Sequence, residues 1–216
     1  MIRQFFQQPG SLLRLRFLQF FQFRASFLIG LLCIHALQYR FGSIAPLRFT
    51  VRLEFNPLTV KGDSTVVETR LITLDAGSHL NKTAVSYSNL KETLPIVTGI
   101  VLHEPDGAVV ADAANGYITY VDPTTGPDNG KIFIGAAVPT VVKDAKTVLF
   151  SEKEKKERNN ADGHVLAVSD YEPGSEYVYY WGFAWDRADI KTAAAWNQYM
   201  ADFAQKVRNP LTVKVN

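Results

Sequence analysis

Cysteine occurs once in this chain, at Cys33. A single thiol forms no internal disulfide, and everything after it lacks a thiolate for zinc binding or nucleophilic chemistry. Residues 1–53 contain no Asp, Glu or Lys. They carry seven arginines instead (Arg3, Arg14, Arg16, Arg24, Arg40, Arg48 and Arg52), and nine of the fourteen phenylalanines lie before residue 50. From residue 54 onward 16 basic residues face 21 acidic ones, so the slight net positive charge belongs to the N-terminal stretch alone. That argues against a basic face on the globular part and against a nucleic-acid partner. The apolar run at residues 27–37 is 11 residues long, short of the roughly 20 that span a bilayer as a helix. Also missing are a G-x-S-x-G elbow, a phosphate-binding G-x-x-x-x-G-K-[ST] loop, an H-E-x-x-H zinc motif and an EF-hand loop. Neither a metal nor a cofactor is expected.

The break in composition divides the chain into residues 1–43 and a domain at 44–216. Three readings of the first part stay open. Arg14, Arg16 and Arg24 before the apolar run resemble a secretory signal or anchor, although the basic region is long and no small-x-small cleavage site follows. Leu12, Leu13, Phe17, Phe20, Phe21 and Phe27 could form one face of a membrane-surface helix. The third reading is a non-native start joined to a true domain. Membrane contact is expected only if residues 1–43 are a real anchor.

The second part is long enough for one domain with a sizeable core. Phe49, Val51, Leu53 and Phe55 alternate with other residues, as do Thr65, Val67, Thr69 and Leu71. Short β-rich runs follow near 84–87, 96–102, 117–121, 131–134, 148–150 and 165–168. Turn chemistry separates them, including Lys61-Gly62-Asp63, Asn115-Gly116 and Asp128-Asn129-Gly130. This spacing predicts an antiparallel β-sandwich. Residues 189–208 predict one amphipathic helix with Trp196, Tyr199, Met200, Phe203 and Val207 on a stripe, capped by Asp189 or Asp186 and stopped by Asn209-Pro210. Residues 211–215 then read as a last strand. The charged stretch 151–163 reads as a solvated loop or frayed helix. Loop 122–130 has acids and glycines without calcium spacing, so a plain hairpin loop is favoured over a cation site.

The richest chemistry lies in residues 163–187. An aromatic strand places Tyr177, Tyr179, Trp181 and Phe183 on one face. Large aromatics of this kind either fill a core or stack on a sugar ring. His164 opens the preceding strand, and Pro173-Gly174 lies between the two. If they form a hairpin, His164 faces the region near residue 182. His164, Tyr180 and Arg187 then become catalytic candidates: His164 or Tyr180 takes a proton and Arg187 clamps a sugar carboxylate. Trp181 and Trp185 are the substrate-stacking candidates. The competing reading of His164 is a structural histidine in an aromatic core. His79 and His103 read as surface or strand-end histidines.

Five blocks carry a family resemblance: APLRFTVRL from Ala45, LITLDAGSHLNK from Leu71, GHVLAV from Gly163, YYWGFAW from Tyr179 and NPL from Asn209. They resemble a bacterial family of uncharacterised domains, domain-of-unknown-function family 4861. It comprises proteins of polysaccharide-degradation loci, including an oligosaccharide dehydratase that acts on ulvan fragments. The resemblance covers about residues 44–216, and its C-terminal block is the most specific. It implies a mutarotase- or lyase-like sandwich, a secreted or periplasmic location, and an oligosaccharide or polysaccharide partner. Members are roughly twice this long, so the chain resembles their C-terminal half. The implied activity is carbon–oxygen lyase chemistry, an oligosaccharide dehydratase acting on uronate-containing sugars. The alternatives are a non-catalytic carbohydrate-binding sandwich or an inactive fragment.

Overall fold

The computed structural model describes residues 2–6, 36–45, 47–104, 107–124 and 126–212. Strands dominate it, and every ladder is antiparallel. The larger sheet runs in the order β2 (Ala36–Ala45), β3 (Arg48–Phe55), β5 (Asp63–Asp75), β6 (Leu80–Ser88), β13 (Tyr177–Trp185), β10 (Lys131–Ala137), β9 (Tyr117–Pro123) and β8 (Val109–Asp112), with β4 (Leu58–Val60) paired to β5. The smaller sheet runs β1 (Ile2–Phe6), β7 (Leu94–Leu102), β12 (Gly163–Tyr171) and β11 (Asp144–Leu149). The expected antiparallel sandwich is what forms.

Alternation decides what each face buries. Even-numbered residues of β7 (Ile96, Ile100, Leu102) and odd ones of β12 (Val165, Ala167) meet Val85, Ile118, Tyr120, Ile134, Ala136, Tyr177 and Tyr179 of the large sheet. The opposite face of the large sheet carries helix α2 (Ala193–Arg208) over Leu80, Tyr117, Phe133, Ala137 and Ala184. The large sheet is thus buried on both faces near its middle, which is why β9 and β10 read as nearly continuous apolar runs.

The helix begins later than its periodicity suggested. Thr192, not Asp189 or Asp186, is the N-cap, accepting from the Ala195 N–H at 3.1 Å. Asp189 is engaged elsewhere, with His79 at 2.8 Å. The buried line is Trp196, Met200 and Ala204, while Tyr199, Phe203 and Val207 flank it half-buried. Small residues permit the close approach. A methyl group on Gly135 would press on Met200. One on Gly182 would overlap the His79 carbonyl oxygen and sit 3.1 Å from the Leu80 Cα. Both obstacles at Gly182 are backbone, so Gly182→Ala should cost about 1–3 kcal/mol through overpacking, measured by chemical denaturation.

Other sequence expectations need correction. Pro173-Gly174 does not close a hairpin: β12 pairs with β7 and β11, whereas β13 pairs with β6 and β10. The turn crosses from one sheet to the other. Tyr171 pins the crossing, since its hydroxyl accepts from the Tyr87 N–H at 2.9 Å and donates to the Ser175 carbonyl at 2.8 Å. Turn residues specify a chain reversal, but not whether the next strand stays in the same plane.

Residues 1–43 were expected to stand apart from the domain. Instead Ile2–Phe6 pairs with β7 and Ala36–Ala45 pairs with β3, each as the outermost strand of its sheet. Backbone hydrogen bonds suffice for an edge strand, without the alternation that a buried strand shows. Most of the residues behind the signal, surface-helix and non-native-start readings of 1–43, namely 7–35, lie outside the described residues. At the other end, Leu211 and Thr212 are not in a strand, and the remainder of the expected terminal strand lies outside the described residues. The charged stretch 151–163 contains a short helix, α1 (Glu152–Glu157), with a reciprocal Ser151/Glu154 capping box. Loop 122–130 is a β9–β10 connection with a 3-10 turn at Pro127–Asn129. No described helix is long and apolar enough to cross a membrane.

Candidate functional site

Among the described residues, the face of the large sheet that looks toward the small sheet is covered at one end only. Along β13 the residues on this face run from Tyr177 and Tyr179, both buried, through Trp181, half-buried, to Phe183 and Trp185, both exposed. The same gradient appears on β6 (Tyr87, Val85 and Thr83 buried, Asn81 half-buried), on β5 (Val66 and Glu68 buried, Arg70 and Ile72 half-buried, Leu74 exposed) and on β3 (Phe55 and Leu53 buried, Val51 half-buried, Phe49 exposed). Four adjacent strands therefore lose their cover at the same level. What remains is a shelf of Phe49, Leu74, Asn81, Trp181, Phe183 and Trp185. Phe49, Leu74 and Phe183 are each 38% exposed and Trp185 is 40% exposed, an unusual gathering of large apolar side chains at a surface.

The register places these residues side by side. Phe49 is opposite Leu74, Leu74 opposite Asn81, and Asn81 opposite Trp181. At the inter-strand spacing this row is about 14 Å across. Two tryptophans are held by hydrogen bonds. The Trp181 indole N–H donates to Thr83 Oγ1 at 2.8 Å, and that of Trp185 donates to the Asn129 carbonyl at 2.8 Å. Asn81 Nδ2 donates to the Trp181 carbonyl at 3.3 Å. Rings fixed in this way keep a flat face available without losing further rotamer entropy when a ligand arrives.

Polar chemistry borders the shelf at both ends. Beyond Trp185, the register continues to Ile132 and then to Asp122 on β9. Asp122 Oδ2 holds His103 Nδ1 at 2.8 Å. His103 follows the last residue of β7, so the pair joins the two sheets at their open end. The turn is fixed by Tyr120, whose hydroxyl accepts from the N–H groups of His103 and Glu104, each at 3.1 Å. Toward the covered end lies a buried ionic group: Glu68 paired with Arg70, Tyr87 donating to Glu68 Oε2 at 3.0 Å, and Arg70 standing 5.0 Å over the Phe55 ring. Burial lowers the pKa of Arg70, but Glu68 and the phenols outweigh it and hold the guanidinium above its usual range. Burial, with Glu68 adding to it, pushes the Tyr87 phenol far up, and burial raises Tyr179.

The sequence-derived catalytic group does not assemble. His164 is buried on the face of β12 turned away from the sandwich core, edge-on to Phe150 at 4.8 Å. Tyr180 lies on the opposite outer face, beneath α2, edge-on to Phe203 at 4.9 Å. Two sheets packed about 10 Å apart stand between them. Burial also raises the pKa of Tyr180, which makes it a poor proton acceptor. Arg187 is exposed just past β13, its Nε 3.2 Å from where a Gly130 side chain would begin. Of the five expected residues, Trp181 and Trp185 share the shelf and Arg187 lies beside its end.

Sequence reasoning missed the shelf partners Phe49, Leu74 and Asn81, and it set His103 aside. The alternation in β3 was visible, but alternation identifies a face and not which end of that face is left uncovered; on β5 the set Thr65, Val67, Thr69 and Leu71 lies on the face opposite to Val66, Glu68 and Leu74. His103 and Asp122 sit in no motif and meet only because the two sheets converge.

Comparison with known proteins shows a family and assigns no activity. The chain is 23% identical over 158 residues to "Uncharacterized protein P7" of Formosa agariphila, a match that takes in 71% of this chain and 36% of that protein. It thus spans about a third of the length of that relative. Residues 35–213 match the model of the family described as "Domain of unknown function (DUF4861)", starting ahead of the boundary expected at residue 44, and the chain belongs to that family.

Proposed function

We propose that this is a carbohydrate-active protein of polysaccharide degradation that seats an oligosaccharide on the Phe49–Trp185 shelf, with dehydratase or lyase action on uronate-containing sugars. The observation that carries it is the common loss of cover on four strands, which leaves Phe183 and the hydrogen-bonded Trp185 exposed beside a half-buried Trp181. Sugar rings present apolar C–H faces, and such faces stack on aromatic rings while their hydroxyls take up neighbouring polar groups. Asn81 lies within the shelf, His103 and Asp122 border it, and the Arg187 guanidinium beyond Trp185 suits a carboxylate. Secretion or a periplasmic location accords with such a substrate and is part of the same proposal.

The reaction is removal of the proton alpha to the uronate carboxylate, with loss of the oxygen substituent on the neighbouring carbon. One observation favours a second reading, a binding sandwich without turnover: His164 and Tyr180 lie on opposite outer faces.

Titration calorimetry with uronate-containing oligosaccharides tests the shelf. Trp185→Ala should weaken binding by about 5- to 30-fold, corresponding to an exposed stacking contact of about 1–2 kcal/mol. Its melting temperature should stay near that of the parent, because this side chain fills no core. Unchanged affinity in Trp185→Ala and Phe183→Ala would remove the shelf from the proposal.

A further inference from the structure

We infer that His103, oriented by Asp122, is the proton-transferring residue of the shelf. The inference rests on the shelf being the sugar site, and it names the group that acts there. The described residues contain two His–Asp pairs, and their surroundings differ. His79 bonds Asp189 at 2.8 Å, but its ring is closed in by Trp196 and Tyr199, with centroids at 6.1 and 5.4 Å. That pair ties the stretch before α2 to the start of β6. In the other pair the roles of exposure are reversed. The Asp122 side chain is 15% exposed and the His103 side chain is 37% exposed. The carboxylate is sheltered and the imidazole reaches solvent, which is the arrangement a working acid–base histidine needs.

The geometry assigns the nitrogens. Asp122 accepts from Nδ1, so the neutral ring carries its proton there and keeps its lone pair on Nε2. Tyr120 holds the backbone on which the ring is mounted. Asp122, Ile132 and Trp185 occupy one row on three neighbouring strands, so the carboxylate backbone lies about 10 Å from that of the stacking tryptophan. In this proposal a sugar ring seated on Trp185 is approached by the imidazole from the β9 side.

The step balances without an external reagent. Nε2 takes the proton from the carbon alpha to the carboxylate. The electron pair of that C–H bond becomes the new carbon–carbon double bond, and the adjacent C–O bond breaks. The imidazolium returns the proton to the departing oxygen, which leaves as water or as a sugar hydroxyl. His103 ends neutral. Arg187 is the candidate partner for the carboxylate charge that builds up during proton removal.

The test uses the full chain with two readouts. One is calorimetric binding of oligogalacturonate, oligoalginate and rhamnose–uronate oligosaccharides. The other is ultraviolet absorbance of the unsaturated uronate. His103→Ala is expected to bind within about threefold of the parent while turnover falls about 100-fold or more. Asp122→Asn should lower kcat with little change in KM, because it acts through the ring and not on the sugar. His79→Ala serves as the control for loss of a His–Asp pair and should retain turnover. Melting curves identify any variant that fails to fold, and His103→Gln then replaces the alanine variant. Full turnover in His103→Ala or His103→Gln overturns the inference, as does equal loss in His79→Ala. A parent chain that binds these sugars without producing absorbance also overturns it and leaves the binding reading intact. A parent that binds none of them overturns the shelf reading beneath it.

Discussion

Trp196→Ala is expected to destabilise the domain by about 3–5 kcal/mol, the range for removing a fully buried large aromatic side chain. Trp196 is 0% exposed and lies at the centre of the helix–sheet core. Its indole stacks on Tyr199 with centroids 5.4 Å apart, and its N–H donates to the Ile134 carbonyl at 3.2 Å. The alanine variant would lose the apolar contact, open a cavity beneath α2 and remove the donor to a buried carbonyl. Phe203→Ala on the same stripe is half-buried and should cost about half as much. Denaturant midpoints of the two variants, measured side by side, check the ordering. A larger loss for Phe203 would mean that the helix is seated on a different face from the one described.

Glu68→Ala should cost a similar amount, about 3–5 kcal/mol, for an electrostatic reason. Glu68 and Arg70 are two residues apart on β5, hence on one face, and that face is buried at their level. Without the carboxylate, the Arg70 guanidinium keeps its charge in a poorly solvated place and Tyr87 loses the acceptor of its hydroxyl. The double variant Glu68→Leu/Arg70→Met should recover most of the loss, since two apolar side chains need no partner. A double variant less stable than Glu68→Ala would show that the pair contributes net stability beyond mutual neutralisation.

Local periodicity made much of the architecture legible before any coordinates. Phe49, Val51, Leu53 and Phe55 alternate because one side of β3 meets apolar surroundings. Trp196 and Met200 fall four residues apart because one side of α2 does. The antiparallel sandwich, the single long C-terminal helix and the aromatic strand 177–185 all follow from such patterns, and the turn residues punctuate them. Boundaries followed less well: Asp189 looked like a cap, but Thr192 has the extended backbone and the geometry to accept from Ala195. In this chain local pattern determined the kind of most elements after residue 47 and the buried face of β3, β13 and α2, but not the edge strands at 2–6 and 36–45 or the buried face of β5.

Which elements meet was decided in three dimensions. Pro173-Gly174 reverses the chain equally well within a sheet or between sheets. The choice fell to burial: β12 is enclosed between β7 and β11, β13 between β6 and β10, and Tyr171 is tied to Tyr87 and Ser175 at the crossing. That choice put His164 and Tyr180 in different sheets, while His103 reaches the open end of the large one through Tyr120 and Asp122. The shelf has the same origin, since residues far apart in sequence such as Phe49 and Trp185 become neighbours on one surface only when strand order and the extent of the covering sheet are set. A local pattern records how each side chain is oriented relative to its own strand. Long-range packing alone determines what, if anything, lies opposite it.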